Sequence, residues 1–103
     1  MEKDIEKDLF KCADKISSLE DKYYRAKLDL ELLKADYLLR NDWENILNKS
    51  RPTVGEKDSY ITQQTESRRR LIDNLKVELN YYKRIYEILI VSQKIRMEDK
   101  WIM

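Results

Sequence analysis

Apolar residues follow one another at alternating intervals of four and three from the start of the chain: Ile5, Leu9, Cys12, Ile16, Leu19, Tyr23, Ala26, Leu30, Leu33 and Tyr37. This is a heptad seam, the spacing that keeps one face of a helix against a partner helix. Near residue 30 a second row begins, Leu28, Leu32, Ala35, Leu39, Trp43 and Ile46, which is expected to run beside the first and widen the apolar face. Together the two rows predict a first helix over about residues 3–48.

The only Pro and the only Gly fall in the stretch Asn48-Lys49-Ser50-Arg51-Pro52-Thr53-Val54-Gly55, so a loop is expected at 49–53. Thr53 followed three residues later by Glu56 has the form of a capping box, which starts helix 2 at Val54. Helix 2 carries Leu71, Ile72, Leu75, Leu79, Tyr82, Ile85, Tyr86 and Leu89 on one side and is expected to reach about residue 99. Nine polar residues in a row occupy positions 62–70, from Thr62 to Arg70, and the helix is expected to bend or break there.

The fold class read from this pattern is all-α: one domain over residues 1–103, a long antiparallel two-helix hairpin of coiled-coil type. Folding the chain at the loop sets residue i against residue 101 minus i, which places Leu30 to Leu39 opposite the polar stretch 62–70. The same register sets the apolar run Ile88-Leu89-Ile90-Val91 against the small Cys12 and Ala13. Both mismatches leave leucine-sized surface uncovered, each worth about 1.5–3 kcal/mol if buried, so a homo-oligomer completing a four-helix arrangement is expected. The residues expected to carry that self-association are Leu30, Leu32, Leu33, Tyr37, Leu39 and Trp43 on helix 1, and Ile88, Ile90 and Val91 on helix 2.

Composition sharpens this picture. In 103 residues, 40% are charged while Gly and Pro occur once each, a balance suited to long surface helices and poor in loop-formers. With 21 basic and 20 acidic side chains the net charge is +1, so no global field draws the chain to nucleic acid or membrane. The opening MEKDIEKDLF lacks the layout of a signal peptide and the longest apolar run is four residues, which predicts a cytoplasmic protein without a membrane span.

Catalysis finds no support. Histidine is absent, Gly-rich phosphate loops and nucleophile elbows are absent, and Cys12, the single cysteine, sits in the seam as a small hydrophobe. No catalytic residues, metal site, cofactor or small-molecule substrate are expected. Lys3, Lys7, Lys11 and Lys15 form a row at four-residue spacing, but Asp4, Asp8 and Asp14 interleave with them, so local ion pairing is the expected use. Trp43 and Trp101 near opposite helix ends suit either partner anchors or lids on the core.

The most suggestive polar feature is basic. Arg68, Arg69 and Arg70 are followed by Lys76, Lys83 and Arg84, and residues 69, 76 and 83 recur every seven positions on one helix face. Such a stripe can track a phosphate backbone, and Tyr81, Tyr82 and Tyr86 beside it supply rings of the kind that stack on single-stranded bases. The alternative is a solvated face whose cations pair with acids on a neighbouring helix.

At Thr53-Val54-Gly55-Glu56-Lys57-Asp58-Ser59-Tyr60, followed by the long helix from Leu75 to Lys94 with its tyrosines, the chain resembles small helical proteins encoded by bacteriophages. Through Leu79-Asn80-Tyr81-Tyr82-Lys83-Arg84-Ile85-Tyr86-Glu87-Ile88-Leu89 it also resembles the phage recombination mediators, small oligomeric helical proteins that help load a recombinase onto single-stranded DNA. That resemblance implies a non-enzymatic accessory protein of phage recombination or replication, working in the host cell cytoplasm, with Arg68, Arg69, Arg70, Lys83 and Arg84 on phosphate. The alternative function is a structural or adaptor coiled coil, or a phage-encoded inhibitor, with a protein partner.

Overall fold

The structure is a computed structural model; it describes the backbone of residues 5–102 and the side chains of residues 5–97. Lys3, Asp4 and the side chain of Trp101 lie outside the described residues. Four helices follow one another: α1 (Ile5–Leu38), α2 (Trp43–Leu47), α3 (Val54–Gln64) and α4 (Glu66–Ile102). Among the described residues there is no strand, and α1 and α4 pack against each other as a helical hairpin.

The first helix ends ten residues short of its expected limit, at Leu38 rather than about 48. Leu39 and Arg40 close a turn through their amides to the carbonyls of Ala35 and Tyr37, and the Arg40 guanidinium meets the Asp42 carboxylate at 3.2 Å. The single turn of α2 follows, ended by Asn48 in the left-handed region (φ 49°), with the Lys49 amide returning to the Glu44 carbonyl at 3.1 Å. An αL residue closing on a carbonyl of the last turn is a common way to stop a helix, and Asn tolerates that conformation better than most side chains.

α3 starts at a complete capping box. The Thr53 hydroxyl accepts the Glu56 amide at 3.1 Å, and the Glu56 carboxylate accepts the Thr53 amide at 3.3 Å. Lys49 adds an ion pair to Glu56 at 2.8 Å, and these bonds, the Lys49 one first, hold the Glu56 carboxyl below its ordinary range. The carboxylate half of the cap is therefore in place at neutral pH and weakens as pH falls through that lowered value, while the bond from the Glu56 amide to the Thr53 hydroxyl carries no titrating group.

Between α3 and α4 only Thr65 leaves the helix. Its hydroxyl donates to the Ile61 carbonyl at 2.7 Å, a back-bond that bends helices, yet the i to i−4 amide bonds of Thr65 and Arg69 continue on either side. Thr65 is fully buried.

The chain is made up of two compact units. One joins α1 as far as Tyr23 with α4 from Asn74, and the other is Tyr24–Asp73. In the first, Cys12, Leu19 and Leu79 are buried; in the second, Leu30, Trp43, Ile61, Thr65 and Ile72. All ten residues of the α1 heptad seam are buried or half-buried.

The pairing of α1 with α4 departs from the expected one by seven residues at Cys12 and Tyr82 but by only two at Glu20 and Lys83. In the first unit the Cys12 thiol donates to the Tyr82 carbonyl at 3.2 Å, whereas the expected pairing set Cys12 against Leu89. At the turn, α1 stops early and α2 occupies part of what was expected to be the first helix. In the second unit Tyr37 meets Tyr60 rather than the polar stretch 62–70.

Candidate association surfaces

On an α-helix two positions are separated by about 200°, so rows that differ by two residues occupy nearly opposite faces. The row Leu28, Leu32, Ala35 and Leu39 is therefore not beside the seam of Ala26, Leu30, Leu33 and Tyr37 but across the helix from it. Exposure agrees with the geometry: Leu28 is 59%, Leu32 57% and Leu39 79% exposed, against 8% for Leu30. Of the six residues expected to join copies through helix 1, Leu30 and Trp43 are buried within the chain, Leu33 and Tyr37 are half-buried in it, and only Leu32 and Leu39 face outward. Acidic groups flank the outward row, with Asp29 and Asp36 on one side and Glu31, paired with Lys34 at 3.8 Å, on the other. Arg25, the base at its N-terminal end, is already engaged.

α4 repeats the arrangement in the first unit. Its inward seam holds Leu79, Tyr82, Tyr86 and Leu89, while Val77, Tyr81, Ile88, Val91 and Ile95 are between 53% and 70% exposed. With Arg84 these outward residues run at intervals of four, three, four, three and four, a second heptad stripe opposite the first. Ile88 and Val91 were expected outward, whereas Ile90 is half-buried. Val77, Tyr81 and Ile95 are additions whose spacing was present in the sequence.

The basic candidates separate into the two units. Arg69 occupies a seam position of the second unit: it is half-buried, one guanidinium nitrogen donates to the Thr62 carbonyl at 2.6 Å, and its Nε is buried without a partner. Arg70 pairs with Glu66 at 2.6 Å on its own helix, and Arg68 is exposed. In the first unit Lys83 reaches Glu20 at 3.7 Å and Lys15 reaches Glu78 at 3.9 Å, ion pairs that bridge the two helices, while Lys76 and Arg84 are exposed.

Two concavities lie within single units. In the second unit one of about 490 Å³ is lined by Arg40, Asp42, Trp43, Glu44, Arg51 and Lys57. Arg40 pairs with Asp42, and the Arg51 amide, on a residue with φ 53°, donates to Glu44 at 3.3 Å. The other, of about 460 Å³ in the first unit, includes Cys12, Lys15, Tyr82 and Leu89. Burial pushes the Cys12 thiol up, which makes it a poor nucleophile. Among the described residues no group of three or more His, Cys, Asp or Glu is placed to hold a metal, and no helix is long and apolar enough to cross a membrane.

Comparison with known proteins does not extend these observations. No family model, curated protein or solved structure matches the chain.

Proposed function

We propose that this protein is a non-enzymatic coiled-coil adaptor whose working surface is the outward leucine row of α1. The observation that carries the reading is the exposure of Leu28, Leu32 and Leu39 on the face opposite a satisfied seam. Leaving three leucines in water forgoes burial worth about 1.5–3 kcal/mol each, a cost that a partner helix would recover. Two copies meeting antiparallel through this row would set Asp29 against Asp36, so the row suits a partner helix with apolar a and d positions and basic flanks.

A designed helical peptide with leucine at a and d and lysine at e and g should bind the wild-type chain. Replacing the flanking lysines by glutamate should weaken binding at least tenfold, and so should Leu32→Asp with Leu39→Asp in the protein. If both peptides bind equally, or if the double variant binds as wild type does, the leucine row is not the docking surface.

A second reading, single-stranded nucleic acid as in the phage proteins the sequence resembles, is favoured by one observation. Tyr81 is 61% exposed beside the exposed Arg84, offering a ring and a cation together. Titration of labelled oligonucleotides at two salt concentrations tests it, since phosphate binding weakens steeply with salt. Under this reading Arg68→Ala and Arg84→Ala lower affinity without loss of stability, whereas Arg69→Ala costs about 1–2 kcal/mol of stability because it removes a bond to the Thr62 carbonyl. Absence of binding at low salt eliminates the reading.

A further inference from the structure

The outward stripe of α4 has no occupant in the single chain, and its charges differ in kind from those beside the leucine row. Taking Val77, Arg84 and Val91 as d positions and Tyr81, Ile88 and Ile95 as a positions, the g positions of the C-terminal two heptads are Glu87 and Lys94. Both are exposed, and neither has a partner among the described residues. In a parallel pair of α4 helices Glu87 would face Ser92, which gives no ionic contact. In an antiparallel pair g faces g, and the register that sets Ile88 against Val91 of the other copy also sets Glu87 against Lys94, twice about the two-fold axis.

We propose that α4 is a self-pairing helix: two copies of the chain associate antiparallel through Arg84, Ile88, Val91 and Ile95, with reciprocal Glu87 to Lys94 ion pairs fixing the register. In this register Ile88 lies against Val91 and Ile95 against the stem of Arg84, each twice about the two-fold axis. Arg84 can lie in the stripe because its aliphatic stem covers apolar surface while the guanidinium reaches water. The contact is isologous, since the same patch serves both copies, and it leaves the leucine row of α1 free for the partner proposed above. The two surfaces are separate proposals on separate helices.

Sedimentation equilibrium of the full chain tests the pairing. Wild type should be a dimer at tens of micromolar. Glu87→Lys alone and Lys94→Glu alone should each raise the dissociation constant about tenfold, and the double exchange should bring it back within threefold of wild type. That rescue is specific to the antiparallel register and cannot arise from a merely folded or unfolded helix. Ile88→Asp with Val91→Asp should give a monomer, with helicity followed by circular dichroism. A wild-type monomer at 100 µM overturns the proposal, as does a double exchange that is no better than the single ones. So does a dimer that Leu32→Asp with Leu39→Asp dissociates while Ile88→Asp with Val91→Asp does not. Peptide binding to the α1 row, measured on the same variants, should be untouched by the changes in α4, so failure of one proposal is distinguishable from failure of the other.

Discussion

Trp43→Ala is expected to be among the most damaging single changes in Tyr24–Asp73, costing about 3–5 kcal/mol, the range for removing a large aromatic from an interior. The indole is 5% exposed although it lies in a helix of only five residues, Trp43–Leu47. Tyr37 and Tyr60 enclose it, with ring centroids at 6.4 Å and 5.8 Å from it and 5.8 Å from each other, two of the three contacts being edge-on. Lys57 adds its ammonium 5.9 Å from the indole centroid. A five-residue helix has no stability of its own, so α2 holds its place because Trp43 anchors it. Urea unfolding should show the loss, and hydrogen exchange should place it in α2 and α3. Trp43→Phe, which keeps a ring in the cluster, should recover half or more. If Trp43→Ala costs under 1 kcal/mol, the aromatic cluster is not the core of this unit.

The same tryptophan explains where the sequence misleads. Leu39, Trp43 and Ile46 continue the four-and-three spacing of Leu28, Leu32 and Ala35, so the heptad pattern runs on through residues 39–42, where the chain is not helical. Nothing local forces that break, because the stabilisation comes from Tyr60, in an element the chain has yet to reach. Periodicity sees one helix at a time, and the early end of α1 is a tertiary effect that changes which residues meet across the hairpin.

Other features were legible. The α1 seam needed only spacing, and the capping box of Thr53 and Glu56 is local chemistry that reads directly from two residues. The opposed placement of the leucine row was present in the arithmetic of the helix, since Leu28 and Leu30 cannot share a face. The polar run 62–70 was legible as an anomaly but not in its resolution. Thr65 and Arg69 occupy seam positions with polar side chains, and they do so by bonding to the Ile61 and Thr62 carbonyls. A count of apolar residues cannot reveal that such positions are filled, and it assigns Arg69 to solvent when half of it is interior.

The two outward rows change what the basic stripe implies. Lys83 and Lys15 bridge to Glu20 and Glu78 on the neighbouring helix at the edge of the seam, the position where coiled coils place ion pairs that set orientation. Exposed pairs of this kind contribute about 0–1 kcal/mol each, so their use is to favour one alignment of α1 and α4 over others. Cations committed in this way give weaker support to phosphate tracking than the seven-residue spacing alone suggests.

Leu19→Ala is expected to have the largest effect in the other unit. Leu19 is 2% exposed, the most enclosed apolar side chain in the segment that joins α1 as far as Tyr23 with α4 from Asn74. Truncating a leucine so placed removes its transfer energy and leaves a cavity that two rigid helices cannot close, at a cost of about 2–5 kcal/mol. Small domains have only about 5–15 kcal/mol in hand, so much of the native population is lost under mild denaturant. Phe10→Ala supplies the control, because Phe10 is larger yet 73% exposed on the same helix, and it should stay within about 0.5 kcal/mol of wild type. Both variants should be compared at one protein concentration, since dimer formation through α4 would stabilise the folded state by mass action. Should Leu19→Ala cost no more than Phe10→Ala, the alignment that sets Cys12 beside Tyr82 is not the one the helices adopt.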